Sequence, residues 1–298
     1  MRRYELTDQQ WDLIADLFPE QIAGRPRRSD RQMLNGIFWQ LCSGAAWRDL
    51  PDRYGPWQTV YSRFRGWEAD GMFDRILRRL QVELDERGLI DYATWMVDST
   101  SVRASRAAVG APNIETSKKG ILSIHRITVD PSDHALGRSR GGLTTKIHLA
   151  CDSGGVPLAA CLSGGQRHDS SQYRRLMRTV RVPRRRPGRP RTRPHCLVAD
   201  RGYDARHIRR YLRRRGIRAM IPERRPGKGR KRRRRGRPPV FDKVLYAKRN
   251  VIERLIGWMK ECRRLATRYE KKARCYLAMV NLACIRRCFR KLDFSNTA

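Results

Sequence analysis

Over the first ninety residues the apolar positions recur at helical spacing. Met33, Leu34, Ile37, Phe38 and Leu41 fall on one face, and Phe73, Ile76, Leu77, Leu80 and Leu84 form a second stripe running up to Gly88. Thr7 with Gln10, and Ser29 with Gln32, have the capping-box spacing, in which two side chains satisfy the free amides of a helix start. Pro19 and Gly44 then end the first two helices. Between the stripes, WQTVYSRFRGW (57–67) is short, aromatic and basic. Such a set of short helices suits a helix-turn-helix-like DNA-binding module, and it suits an ordinary helical cap nearly as well. Arg63 and Arg65 face DNA in the first case and water in the second.

From residue 94 the pattern changes to strands. TWMVDS (94–99) is apolar and partly β-branched, and TTKIHLACD (144–152) and VPLAACLS (156–163) flank a Ser-Gly-Gly turn. A helix is expected over 168–182, a short strand over HCLVAD (195–200), a helix over 207–214 and a strand over 219–221. Two long helices, about 243–264 and 273–291, close the chain. Strands followed by alternating helix and strand predict a mixed sheet with helices packed on it.

Charge and composition narrow the class. The 298 residues carry 66 Lys and Arg, 55 of them Arg, against 29 acids, for a net charge of +37. A balance of this size points to a polyanionic partner, above all nucleic acid. Codon bias towards Arg can scatter arginines, but it does not easily produce tracts without a single acid. Residues 183–194 (PRRRPGRPRTRP) and about 224–238 (RRPGKGRKRRRRGRP) are such tracts, and 103–143 is a third loop-like, Gly- and Ser-rich stretch. With 40% hydrophobic residues the chain is not disordered throughout. It has no run approaching a membrane span and no apolar leader at its start. The eight cysteines include no CxxC, so they read as small buried residues in a reducing compartment.

The candidate chemistry lies in carboxylates. Asp98 follows one apolar strand (VDST), Asp200 follows another (VADRGYD), and Glu253 lies on a helix. Two acids at strand ends with a third from a packed helix form the oxygen-rich set that holds Mg²⁺. Each acid alone is weak evidence, because an Asp beyond a strand is usually a cap; Asp91, Asp152 and Asp204 make the same claim. Tyr246, Arg249, Glu253 and Lys260 fall on one helical face. That stripe is either a phosphate-and-metal surface or, for Arg249 and Glu253, a plain helical ion pair.

The spacing Tyr-x2-Arg-x3-Glu-x6-Lys resembles the signature of bacterial insertion-sequence transposases with a DDE triad. GRPRRSDRQMLNGIFWQLCSGAAWRDLP, VDST, GRSRGGLTTKIHLACD, GQRHDS, VADRGYDA and RNVIERLIGWMKECRRLATRYEK resemble, in order, the motifs of the insertion-sequence-five (IS-five) family over about residues 6–285. The resemblance implies an α/β fold. A ribonuclease H-like catalytic domain with a mixed five-stranded sheet (91–298) would follow a small all-helical N-terminal domain that binds DNA ends (1–90). It implies that Asp98, Asp200 and Glu253 are catalytic and bind Mg²⁺, for which Mn²⁺ can substitute, and that Tyr246, Arg249 and Lys260 contact DNA phosphates. It assigns no catalytic role to His148 or Asp169. The implied activity is binding of terminal inverted repeats, metal-dependent cleavage and strand transfer into target double-stranded DNA. A dimer on DNA, no membrane, no small-molecule cofactor and a cytoplasmic, nucleoid-associated location complete the expectation. A decayed or domesticated DNA-binding copy, a stand-alone nuclease of the same fold and a structural RNA binder are the rival readings.

Overall fold

The computed structural model describes residues 4–20, 26–109, 134–139, 141–184, 188–223 and 240–292. The 224–238 tract and most of the 103–143 connection therefore lie outside the described residues, as do 185–187 of the third stretch.

The N-terminal part is helical: α1 (Asp8–Asp12), α2 (Asp30–Ser43), α3 (Trp57–Ala69) and α4 (Met72–Glu86). The capping box at Thr7 forms, with each partner's side chain on the other's amide. The one expected at Ser29 does not: its side chain caps nothing, and Gln32 instead donates to the Arg53 carbonyl at 2.6 Å. The Gln32 side chain is thus held by a tertiary carbonyl through its NH2 group, where the box would have used its oxygen on the Ser29 amide. Gly44 ends α2 in the left-handed conformation, φ +68°.

The sheet is built on β1 (Thr94–Ala104), β3 (Gly142–Asp152), β4 (Pro157–Gly164), β5 (Cys196–Ala199) and β6 (Arg218–Met220). Its main order is β4-β3-β1-β5-β6. β4, β3 and β1 are antiparallel neighbours, whereas β1, β5 and β6 run parallel. The parallel pairings require crossovers, which α5 (Asp169–Thr179) and α6 (Arg206–Arg214) provide. Two short strands add to this frame. β2 (Gly137–Ser139) pairs with the start of β3, and β7 (Thr267–Arg268) lies parallel to the end of β1. The mixed sheet, its helices and the helical N-terminal region give the ribonuclease H-like architecture.

The expected helix over 243–264 is divided. α7 (Lys243–Ala247) and α8 (Asn250–Lys260) are joined through Lys248 and Arg249, where amides bond to carbonyls three residues back. After α8 the chain forms α9 (Arg263–Ala266) and β7 before α10 (Ala273–Leu292). At this second interruption, after α8, Arg264 and Arg268 are buried and draw the chain inward. Arg264 Nε meets Glu270 at 2.6 Å, and Arg268 donates to the Glu270 and Lys271 carbonyls and, at 2.7 Å, to Thr145. A buried guanidinium demands such partners.

α10 joins the two parts of the chain. Its buried face shares one hydrophobic core with the N-terminal helices and the sheet. Asn281 donates to Asp74 of α4 at 2.8 Å, and Gln81 of α4 donates to the Pro157 and Leu158 carbonyls of β4. Among the described residues no helix is long and apolar enough to cross a membrane.

A Cβ at Gly44 would lie 2.7 Å from Arg263 Cβ and force a left-handed alanine. Gly44→Ala is expected to destabilise the fold by about 1–2 kcal/mol or more, read as a lower urea midpoint.

Candidate active site

β1 is buried from Thr94 to Val97 and begins to meet solvent at Asp98. β5 is four buried residues, CLVA, covered on both faces as a parallel central strand must be. Their register pairs Val97 with Ala199. Asp98 does not end its strand as expected, because β1 runs on to Ala104 paired with β3; it lies within β1 level with Asp200, which directly follows β5. Asp98 Oδ1 accepts from the Ser99 amide at 2.8 Å. Asp200 caps a tight turn, accepting from the Gly202 amide at 2.9 Å; a side chain at 202 would press on that carboxylate.

α8 rests on the sheet through Ile252, Leu255 and Met259. This seating lets Arg249, just before α8, reach two acids at once. Its Nη2 donates to Asp98 Oδ2 and its Nη1 to Glu253 Oε1, both at 2.6 Å. The Asp98 and Arg249 side chains are mostly buried, while Glu253 is 51% exposed. Burial raises the Asp98 carboxyl above its ordinary value; Arg249 opposes that rise and the neighbouring Asp200 adds to it. For Arg249, burial disfavours the charge, but Asp98, Glu253, Tyr246 and Asp200 together outweigh it and hold the guanidinium ionised.

The tightened turn before α8 brings Tyr246 and Arg249 into line, as i and i+3 do in such geometry. Both line a cleft of about 460 Å³ with Asp200, Arg201, Pro222 and Phe241. Lys260 stands two turns along α8 from Glu253, about 10 Å away. Arg201 and Phe241 were not singled out from the sequence. Arg201 carried a signal, its place directly after Asp200; Phe241 becomes a site residue only by packing against Tyr246, with ring centroids 5.1 Å apart and the planes tilted by 49°.

The other carboxylates are occupied in turns. Asp152 accepts from the Asp91 and Val156 amides, Asp91 from the Ala93 amide, and Asp204 pairs with Arg209 at 2.8 Å. Asp169 pairs with Lys146 at 3.0 Å. The N-terminal cations also find partners inside the chain. Arg63 approaches Asp30 at 3.5 Å and lies over Trp67, and Arg65 donates to the Cys275 sulfur.

The structure thus brings Asp98, Asp200 and Arg249 together and ties in Glu253 through Arg249. It does not gather the three carboxylates into one cluster. Among the described residues no group of three or more His, Cys, Asp or Glu is placed to hold a metal ion. The donor chemistry nonetheless fits a hard divalent cation. Only carboxylate oxygens are offered, and the crowded negative charge already holds one cation, the Arg249 guanidinium.

The family comparisons agree with this frame. The model described as "Transposase DDE domain" matches residues 92–287, and that described as "Putative transposase of IS4/5 family" matches residues 6–77. The fold and sequence thus define a DDE transposase, and the chain belongs to the transposases of bacterial insertion sequences. It is 31% identical over 194 residues to "Putative transposase for insertion sequence element IS402" of Burkholderia cepacia, covering 65% of this chain and 85% of that protein. It is 28% identical over 142 residues to "Putative transposase for insertion sequence element IS6501" of Brucella ovis, covering 48% of this chain and 95% of that one. Among solved structures, "Crystal structure of a pre-cleavage Mos1 transpososome" aligns over 92% of this chain and 81% of that chain at 12% identity. Its TM-score of 0.25 assigns no position here.

Next to the site, His148 of β3 is buried with Nε2 2.8 Å from Ser163 Oγ. Burial is the main cause that lowers its imidazole from 6.5 to about 4. His148 therefore stays neutral in the fold while the unfolded chain takes up a proton. Its contribution is present above pH 6.5 and is lost as pH falls towards 4, about 3 kcal/mol in all. His148→Gln should flatten that acid-side loss in urea midpoints measured between pH 7 and pH 4.5.

Proposed function

We propose that this transposase binds the terminal inverted repeats of its insertion sequence, cleaves DNA there with divalent metal, and transfers the strand into target DNA. The placement of Asp98 within β1 level with Asp200 at the end of the neighbouring parallel strand, with α8 delivering Arg249 and Glu253, carries this reading. Asp98, Asp200 and Glu253 would hold Mg²⁺, or Mn²⁺ in its place. Such ions, when bound, supply the positive charge that activates an attacking oxygen and stabilises the leaving oxygen of a phosphodiester.

The protein's own residues do the rest. Tyr246, Arg249 and Lys260 hold backbone phosphates of the transposon end in line with the attacking oxygen. Arg249 suits this task once its two carboxylates are otherwise neutralised, because its fork of N–H groups matches phosphate oxygens as it matches carboxylate oxygens. The cleft beside Asp200 gives the scissile phosphate a place between the aromatic pair and Asp200. No side chain is needed as a covalent nucleophile, so Tyr246 acts as a phosphate contact. The helical N-terminal domain (1–90) is assigned to end recognition and 91–298 to catalysis, working as a dimer on two ends in the bacterial nucleoid. Arg63 and Arg65 join end binding only if DNA draws them from Asp30 and Cys275.

A joining assay with the element's own ends, purified protein and Mg²⁺ tests the reading. Asp98→Asn, Asp200→Asn and Glu253→Gln should each lower cleavage by about 10²-fold or more, with end binding retained. Cleavage by all three at the wild-type rate overturns the triad. Cut ends that stay unjoined favour a nuclease, and binding without cutting favours a decayed copy. Lys260→Ala should weaken binding uniformly across sequences and reduce the salt slope by about one.

A further inference from the structure

α2, the α8–α9 junction and α10 meet at two thiols that share one guanidinium. Arg286 of α10 places Nη1 2.7 Å from the Cys42 sulfur and 3.4 Å from the Cys262 sulfur. Both sulfurs thus accept from the same nitrogen. Both are buried, Cys42 at 5% and Cys262 at 2% exposure. The backbone is close on both sides, because Gly44 lies against Arg263.

Burial pushes the Cys151, Cys161, Cys196, Cys275, Cys284 and Cys288 thiols up. Cys262 differs: the neighbouring Cys42 thiol first, then Arg286 and Arg290, outweigh burial and bring its thiol down to about 7. The Cys262 side chain first and burial second push the Cys42 thiol up. A thiolate beside a protonated partner thiol is the arrangement of a nucleophile and its resolving cysteine.

We propose that Cys42 and Cys262 form a peroxide-reactive dithiol site, in which Cys262 is the attacking sulfur, Cys42 the resolving one and Arg286 the residue that positions both. The Cys262 thiolate attacks one peroxide oxygen; an S–O bond forms as the O–O bond breaks, leaving a sulfenic acid and a hydroxide or alkoxide that takes up a proton. The Cys42 thiol then attacks the Cys262 sulfur; the S–S bond forms, the S–O bond breaks and water leaves. The two thiols give up two electrons and two protons, and one hydroperoxide is reduced to water and a second water or an alcohol. The resulting disulfide ties α2 to the end of the helix that carries Glu253.

The full-length reduced protein is treated with one equivalent of hydrogen peroxide, blocked with N-ethylmaleimide under denaturing conditions, and mapped as non-reduced peptides. The expected product is a Cys42–Cys262 disulfide, with loss of two thiols, reversed by dithiothreitol. Cys42→Ser should stop at a dimedone-reactive Cys262, and Cys262→Ser should leave Cys42 reduced. Arg286→Gln should slow oxidation of Cys262 by about tenfold. Absence of the Cys42–Cys262 link in the wild-type protein, or oxidation of the other cysteines as fast as Cys262, overturns the proposal. Because the wild type carries the main readout, a variant that fails to fold does not rescue it.

Discussion

Two carboxylates at the same level of adjacent parallel strands repel each other, and partial burial removes the water that would screen them. Asp98 and Asp200 are in that position, and the Arg249 guanidinium is the cation that makes it tolerable. Much of the architecture serves this arrangement. β1 must be paired on both edges to fix the level of Asp98. α8 must lie flat on the sheet for Arg249 to span from Asp98 to Glu253. The arrangement also sets what a divalent ion would meet, since it would have to replace a cation already held at 2.6 Å by two acids.

The +37 charge divides into different physical roles. Arg264 and Arg268 are interior structural groups whose N–H donors are spent on carbonyls, a hydroxyl and one carboxylate. Arg286 is held on two sulfurs and Arg249 on two acids. These are not residues scattered by codon bias over an indifferent surface. Their cost of burial is met by specific partners, and exchange for Lys would lose the fork geometry that meets them.

α10 makes the N-terminal helices and the sheet share one core, so the part assigned to end recognition and the part assigned to cutting are packed together. Asn281 on Asp74 and Gln81 on the β4 carbonyls add directional bonds to that contact. Motion of one part would be felt by the other through well-packed side chains. The Cys42–Cys262 pair lies at this same seam.

Local periodicity made the strands and most helices legible, because apolar residues alternate or recur according to which face is buried. It also marked Asp98, Asp200 and Glu253 as candidates, and the Tyr246–Lys260 stripe by its spacing. It could not separate Asp98 and Asp200 from Asp91, Asp152 and Asp204. All five are acids near strands or turns, all five accept from amides or an arginine, and only the tertiary structure sets Asp98 and Asp200 side by side on paired strands beside Arg249. Nor could spacing place Arg249 on Asp98, 151 residues away, or turn the chain after α8, because the buried arginines that redirect it find their partners across the fold. The sequence by itself determined the elements and the supply of charge, since both follow from local pattern and composition. The tertiary structure decided which charges meet, since that depends on strand register and helix seating between residues distant in the chain.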